Sequence, residues 1–345
     1  MQIARVFLFV LLVAHPSFAQ KAELVAGGGD GQDGSIATQA RLEKPFGVDR
    51  DSKGNLLIID FLGHLRAVTP EGRLITLCGS TKGDSGDGGP AGKAQLNTPH
   101  SLAVGPGGDI YIADTLNHRI RKIDATTGII TTIVGTTQGF SGDNGPADRA
   151  QFNGIYCIAF NPTQTRLIIT DLENKRIRMM DMKTHLVTTL AGNGVRGVPQ
   201  DNQPAITQPL VDPRAATMDS QGNLYLLERS DHSLRIVNPA GQIRTLIPGP
   251  VKKGGPHTLA GPKHLAVDQN DDVLIADTDN HRIVRWAAKE QKLTTLAGTG
   301  KLGTAGLEGP PLQLQLNQPH GVFVDRDGSI YISDSWNGRI VKISR

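Results

Sequence analysis

An acid keeps returning at the end of a short apolar run: Asp60, Asp114, Asp171, Glu228, Asp277 and Asp334, at spacings of 54, 57, 57, 49 and 57 residues. This recurrence constrains the fold more than any other feature of the 345-residue chain. The clearest copy spans residues 95–135 and reads as four short strands at 102–104, 110–113, 120–123 and 129–134. A Gly-Pro-Gly-Gly turn, a polar turn at 114–118 and a Thr-Thr-Gly turn separate them. Such β-prone runs punctuated by Gly, Pro and Asn indicate an antiparallel meander. A lone meander has two raw edges and little core, so it needs copies of itself as neighbours.

Each acid is followed by a version of Asn-His-Arg-Ile, clearest at Asn117-His-Arg-Ile120 and Asn280-His-Arg-Ile283. Weaker copies are Gly63-His-Leu65, Asn174-Lys-Arg-Ile177, Asp231-His-Ser-Leu234 and Asn337-Gly-Arg-Ile340. Six four-strand units at this period predict an all-β, single six-bladed β-propeller. With Pro319-His-Gly-Val-Phe-Val-Asp325 and Ile330-Tyr-Ile-Ser-Asp334, the pattern resembles the NHL repeat over essentially the whole chain after residue 19. The resemblance implies a six-bladed ring and, by itself, no chemistry. Blade 1 departs from the repeat, with Asp49 and Arg50 where apolar strand residues are expected. Blade 4 departs through Glu228 and a different connector.

The ends of the chain fit the same scheme. Residues 1–19 carry Arg5, an apolar run at 6–14 and a small-x-small site at Ser17-Phe-Ala19, which reads as a secretory signal peptide. Residues 20–345 then form the propeller, and a secreted or periplasmic location is expected. The sixth blade has only three strands before the chain stops. Glu23-Leu-Val-Ala-Gly27 matches Thr294-Thr-Leu-Ala-Gly298 and is expected to supply the fourth, closing the ring.

No second long apolar segment follows, so no membrane span is expected. Lys and Arg total 36 against 33 Asp and Glu, a formal charge of +3, with no run of five basic residues. No nucleic-acid partner is expected from that balance. Cys78 and Cys157 fall in different blades at different radii and read as two buried thiols.

Strand parity puts the long Gly- and Asp-rich connectors, the starts of the inner strands and the turns after each acid on one face. The opposite face receives only short turns. Loops held on a rigid scaffold are where binding resides, so the long-loop face is the expected recognition surface. Gly86-Asp-Gly-Gly-Pro-Ala91 and Gly142-Asp-Asn-Gly-Pro-Ala147 lack the alternating oxygens and terminal bidentate acid of a calcium hand, and read as structural turns. Features common to every blade, such as Asp114 and His118, are assigned to the scaffold. Residues that vary between blades at the channel mouth are the informative ones: Phe46, His100, Ile155 with Tyr156, Arg214, Lys263 with His264, and His320, with Trp336 in the following turn. Arg214 and Glu228 are a candidate ion pair within blade 4.

Two functions from different classes follow. The first is a binding or interaction scaffold, a monomer that takes a protein, peptide or glycan on the long-loop face through His100, Tyr156, Arg214, His264, His320 and Trp336, with no cofactor. The second comes from a resemblance of Pro99-His-Ser101 and Pro319-His-Gly321 to the zinc-binding Pro-His motifs of the peptidyl-hydroxyglycine amidating lyases. That resemblance implies a metal-dependent lyase or lactonase-like enzyme with His100, His264 and His320 holding zinc or calcium. It lacks that family's catalytic Tyr, the corresponding turn offering Leu116 or Trp336. No Gly-x-Ser-x-Gly, phosphate-cradling or His-Glu-x-x-His motif is present.

Overall fold

A computed structural model describes residues 20–249 and 258–344. The expected leader at 1–19 and the basic connector segment at 251–257 lie outside the described residues. Six antiparallel sheets follow one another along the chain. Blade 1 spans Pro45–Arg50, Leu56–Asp60, Leu65–Val68 and Leu74–Cys78, and blade 2 begins at Ser101–Val104. The inner strands of blades 3 to 6 are Ile155–Phe160, Pro213–Met218, His264–Val267 and Gly321–Val324. The ring closes as expected: Ala22–Gly27 pairs antiparallel with Arg339–Ile343, from Ala22 opposite Ile343 to Gly27 opposite Arg339. Blade 4 adds a fifth, two-residue strand, Gln203–Pro204, which the repeat pattern does not announce.

The core lies between blades. Ala103, Tyr111 and Ile120 of blade 2 pack with Phe152, Ile155 and Ile169 of the next unit, all buried. Full burial of a side chain such as Phe152 stabilises the fold by about 1.5–3 kcal/mol. Both cysteines are free and buried in such cores, and burial pushes the Cys78 thiol up to about 12.

The recurring acid is the hub of each blade's turn. Asp114 accepts from the Asn97 amide at 2.7 Å, from Asn117 at 2.8 Å and from Arg119 Nε at 3.3 Å. Asp334 repeats this with Asn317, Asn337 and Arg339. Glu228 departs as its chemistry requires. Its longer arm reaches the Val211 amide and Arg235 Nε, the latter at 2.6 Å. Arg235 is on the third strand, whereas Arg214 projects from the first strand at the channel. The expected Arg214–Glu228 pair therefore does not form.

The connector acids are also structural. Asp87 bonds Arg121 and Thr132, and Asp143 bonds Arg178 and Thr189, clamping each connector to the third and fourth strands of the blade it crosses. Gly135, which ends a fourth strand at φ +87°, must be glycine because a Cβ would lie 2.4 Å from the His118 carbonyl. At the closure seam the departures of blade 1 are put to use. Asp49 accepts from the Val104 amide of blade 2 at 2.8 Å. Arg50 reaches Asp325 at 2.6 Å and the Tyr331 hydroxyl at 2.5 Å in blade 6.

Candidate functional site

Strand register defines six equivalent positions at the channel mouth, each one residue before the pair that opens the inner ladder. In blade 2 that ladder opens with Ser101 opposite Ala113, in blade 5 with His264 opposite Ala276, and in blade 6 with Gly321 opposite Ser333. In blades 3 and 4 the matching pairs are Cys157 with Thr170 and Ala215 with Leu227. The mouth residues are therefore Phe46, His100, Tyr156, Arg214, Lys263 and His320, one per blade. His264 does not share the position of His100 and His320. It sits one residue deeper, against the backbone of Val322. The residue after the opening proline marks the place: Pro45-Phe46, Pro99-His100, Pro213-Arg214, Pro262-Lys263 and Pro319-His320. That signal identifies Lys263, which the histidine count passes over.

These side chains form a ring. Phe46 stacks on His100 with centroids 4.8 Å apart and on His320 at 4.7 Å. His100 meets Tyr156 at 4.6 Å, and the Arg214 guanidinium lies over Tyr156 at 4.4 Å. Lys263 Nζ is 3.0 Å from His320 Nε2. Outside the ring, Trp336 stacks on His320 at 4.9 Å, with Lys263 Nζ 5.7 Å from its centroid. Offset stacks and cation–π contacts of this kind are each worth about 0.5–1.5 kcal/mol beyond burial.

The repeat histidines help to hold these positions. His118 is left-handed at φ 56°, and its Nδ1 accepts the Gly154 amide of the next blade at 3.0 Å, two residues before Tyr156. His281 does the same for Gln318, two residues before His320, and His232 for Gly261, two residues before Lys263. They are part of the scaffold, as expected. In turn, His100 Nδ1 bonds the Thr98 carbonyl and His320 Nδ1 the Gln318 carbonyl, at 2.9 and 3.0 Å. A ring nitrogen facing a carbonyl must donate, which leaves Nε2 of both imidazoles as the acceptor.

The mouth is electropositive. Burial and the Arg214 charge push His100 down to about 3, and burial with Arg214 brings His264 to about 4. His320 is lowered well below its ordinary value by burial and by Lys263. Lys263 itself falls to about 8 through burial and Arg214, and buried Arg214 to about 10. The three imidazoles are neutral at physiological pH. Phe46 stands between His100 and His320, and among the described residues no three His, Cys, Asp or Glu side chains gather to hold one ion.

Around the ring the turns divide the face. Two residues after the recurring acid stand Leu62, Leu116 and Trp336 in blades 1, 2 and 6, but Glu173, Ser230 and Asp279 in blades 3, 4 and 5. Leu62, Leu116, Trp336 and neighbouring Phe61 are exposed, Trp336 at 43%. Lys44 lies 5.2 Å from both the Phe61 and Trp336 rings.

The NHL repeat pattern matches residues 259–286 and 316–343, and the Teneurin NHL domain pattern matches 80–148. These cover much of blades 2, 5 and 6 and leave blades 1, 3 and 4 unmatched. The chain is 24% identical over 335 residues to NHL repeat-containing protein 2 of Gallus gallus, covering 86% of this chain and 46% of that one. It is 27% identical over 282 residues to Teneurin-1 of Homo sapiens, covering 75% of this chain and 8% of that one. The chain thus spans less than half the length of these relatives. Among solved structures, an auxiliary nutrient binding protein from Bacteroides thetaiotaomicron superposes with a TM-score of 0.67 at 15% identity, covering 94% of this chain and 76% of that one. A virginiamycin B lyase from Staphylococcus aureus superposes with a TM-score of 0.57 at 16% identity, covering 94% and 99%. Likeness at this identity concerns the fold.

Proposed function

Because this chain belongs to the NHL-repeat β-propellers, a fold that positions loops rigidly and dictates no chemistry, we propose that it is a binding module receiving a peptide segment on the long-connector face. The observation that carries this reading is the ring itself. All six blades give their one variable mouth residue to a single, largely buried ring, bordered by the exposed apolar side chains Phe61, Leu62, Leu116 and Trp336. Exposed aromatic and aliphatic groups clustered at the centre of a face are the usual anchors of recognition. Leu62 and Leu116 favour peptide side chains over a glycan. Sugar hydroxyls need carboxylates and amides beside the aromatic platform, and here the groups against the Trp336 ring are His320, Lys44 and Lys263. The similarity in fold to a protein described as nutrient binding agrees with a binding role. The reading includes export through residues 1–19, so the ligand is met outside the cytoplasm.

The test is selection of a displayed peptide library against the whole protein. Enriched peptides are expected to lose tenfold or more in affinity for Trp336→Ala and Leu116→Glu variants. Peptides that bind both variants as tightly as the native protein would overturn the assignment. So would glycan-array binding with no peptide enriched.

A further inference from the structure

Five of the six junctions around the ring are attractive: three ring–ring contacts, one cation over a π face, and the Lys263–His320 contact. The sixth, between Arg214 and Lys263, sets two cations next to each other in the ring order, and the Arg214 charge lowers the Lys263 ammonium more than Asp279 raises it. Arg214 is only 5% exposed, and its Nε has no hydrogen-bond partner. Asp212, the carboxylate whose charge acts on Arg214, is engaged by Arg229 and Ser230. Native proteins rarely leave a buried guanidinium without an acceptor, since an unpaired buried charge is costly. A planar fork with free N–H groups beside an ammonium is a recognition element for oxyanions.

We propose that the Arg214–Lys263 junction is an oxyanion site, filled by a carboxylate or phosphate group carried on the ligand. This rests on the mouth being the binding surface and adds the chemical class of the group that enters it. The oxyanion bonds Arg214 and Lys263, while the body it is attached to lies across Tyr156 on one side and His320 with Trp336 on the other. An uncharged ligand leaves the guanidinium unpaired and binds more weakly.

The chain has two tryptophans, and Trp286 is buried in the blade 5 core. Trp336 fluorescence, taken as the difference from a Trp336→Phe variant, therefore reports on Lys263. Acetate, benzoate and inorganic phosphate are titrated into the full protein at constant ionic strength held with sodium chloride. A saturable change with any of the three oxyanions is expected. Saturation by acetate or benzoate assigns a carboxylate, and saturation by phosphate alone assigns a phosphoryl group. Arg214→Met and Lys263→Met, each checked for native circular dichroism, are expected to weaken it about tenfold or more, since charge-assisted bonds are lost. A response no different from chloride, or one unchanged in both variants, overturns the oxyanion site. If selected peptides still required Trp336 in that case, the binding reading would stand without it.

Discussion

Blades 6, 1, 2 and 3 and blades 4 and 5 present the same backbone position to the channel, but the side chains there solve different problems. In the first arc His320, Phe46 and His100 stack in series and Tyr156 meets His100 at a tilt, with centroid separations of 4.6–4.8 Å. Their polar atoms are turned to backbone carbonyls, as at Thr98 and Gln318. In the second arc Arg214 and Lys263 are desolvated cations: burial lowers both, and the Arg214 charge lowers Lys263 further. The first arc is a finished core layer that also borders the exposed apolar patch. The second is an unfinished electrostatic arrangement, stable only because the rest of the ring determines where it sits. Strain and uncompensated charge persist in folded proteins where function requires them. The comparison thus separates residues that hold the mouth together from those whose charges the fold leaves uncompensated.

Removing the centre of the aromatic arc has the largest expected effect. Phe46→Ala deletes a buried ring that touches two imidazoles, and a loss of about 3–5 kcal/mol in denaturant unfolding is expected. A loss below 1 kcal/mol would mean the arc is not a packed layer. The next effect is on pH dependence. His100 titrates near 3 in the native protein against an ordinary 6.5, so between those values the unfolded chain binds more protons. Stability therefore falls as the pH falls, by up to about 1.4 kcal/mol per unit from this one group. The native protein compared with His100→Phe across pH 6.5 to 4.5 should show that difference, and a flat difference would contradict the assigned burial. His281→Ala removes the acceptor for the Gln318 amide and should cost about 1 kcal/mol. It should also speed hydrogen exchange at Gln318, which an effect confined to blade 5 would leave unchanged. Trp336→Ala should cost about 0.5–1.5 kcal/mol, the worth of its stack on His320, while reducing ligand affinity, since much of the ring is exposed.

Much of this was legible in the sequence because it depends on local chemistry. The strands, the acid that closes each turn and the terminal strand that completes blade 6 all rest on patterns repeated six times. Repetition also separated His118 and His281, which serve the next blade's backbone, from the variable mouth. The register of blade 5 was not legible from its histidine. Gly261-Pro262 sets the start of that strand, so Lys263, and not His264, occupies the ring. Glu228 was misread as a partner of Arg214 because sequence proximity within a blade does not reveal which strand a longer acid reaches. The junction between Arg214 and Lys263 could not be read at all. It depends on the closed order of six side chains drawn from across the chain, with Phe46 and His320 made neighbours only by ring closure.

The most direct test of the contrast between the arcs is to measure stability and ligand affinity together on Arg214→Met. Replacing an unpaired buried cation by an apolar chain of similar length removes a desolvation cost larger than the cation–π contact it loses. The variant is expected to be more stable than the native protein by about 1 kcal/mol. It is also expected to lose its response to oxyanions. An Arg214→Met protein that is less stable, or that binds oxyanions undiminished, would show that Arg214 belongs to the scaffold and that the two arcs do the same work.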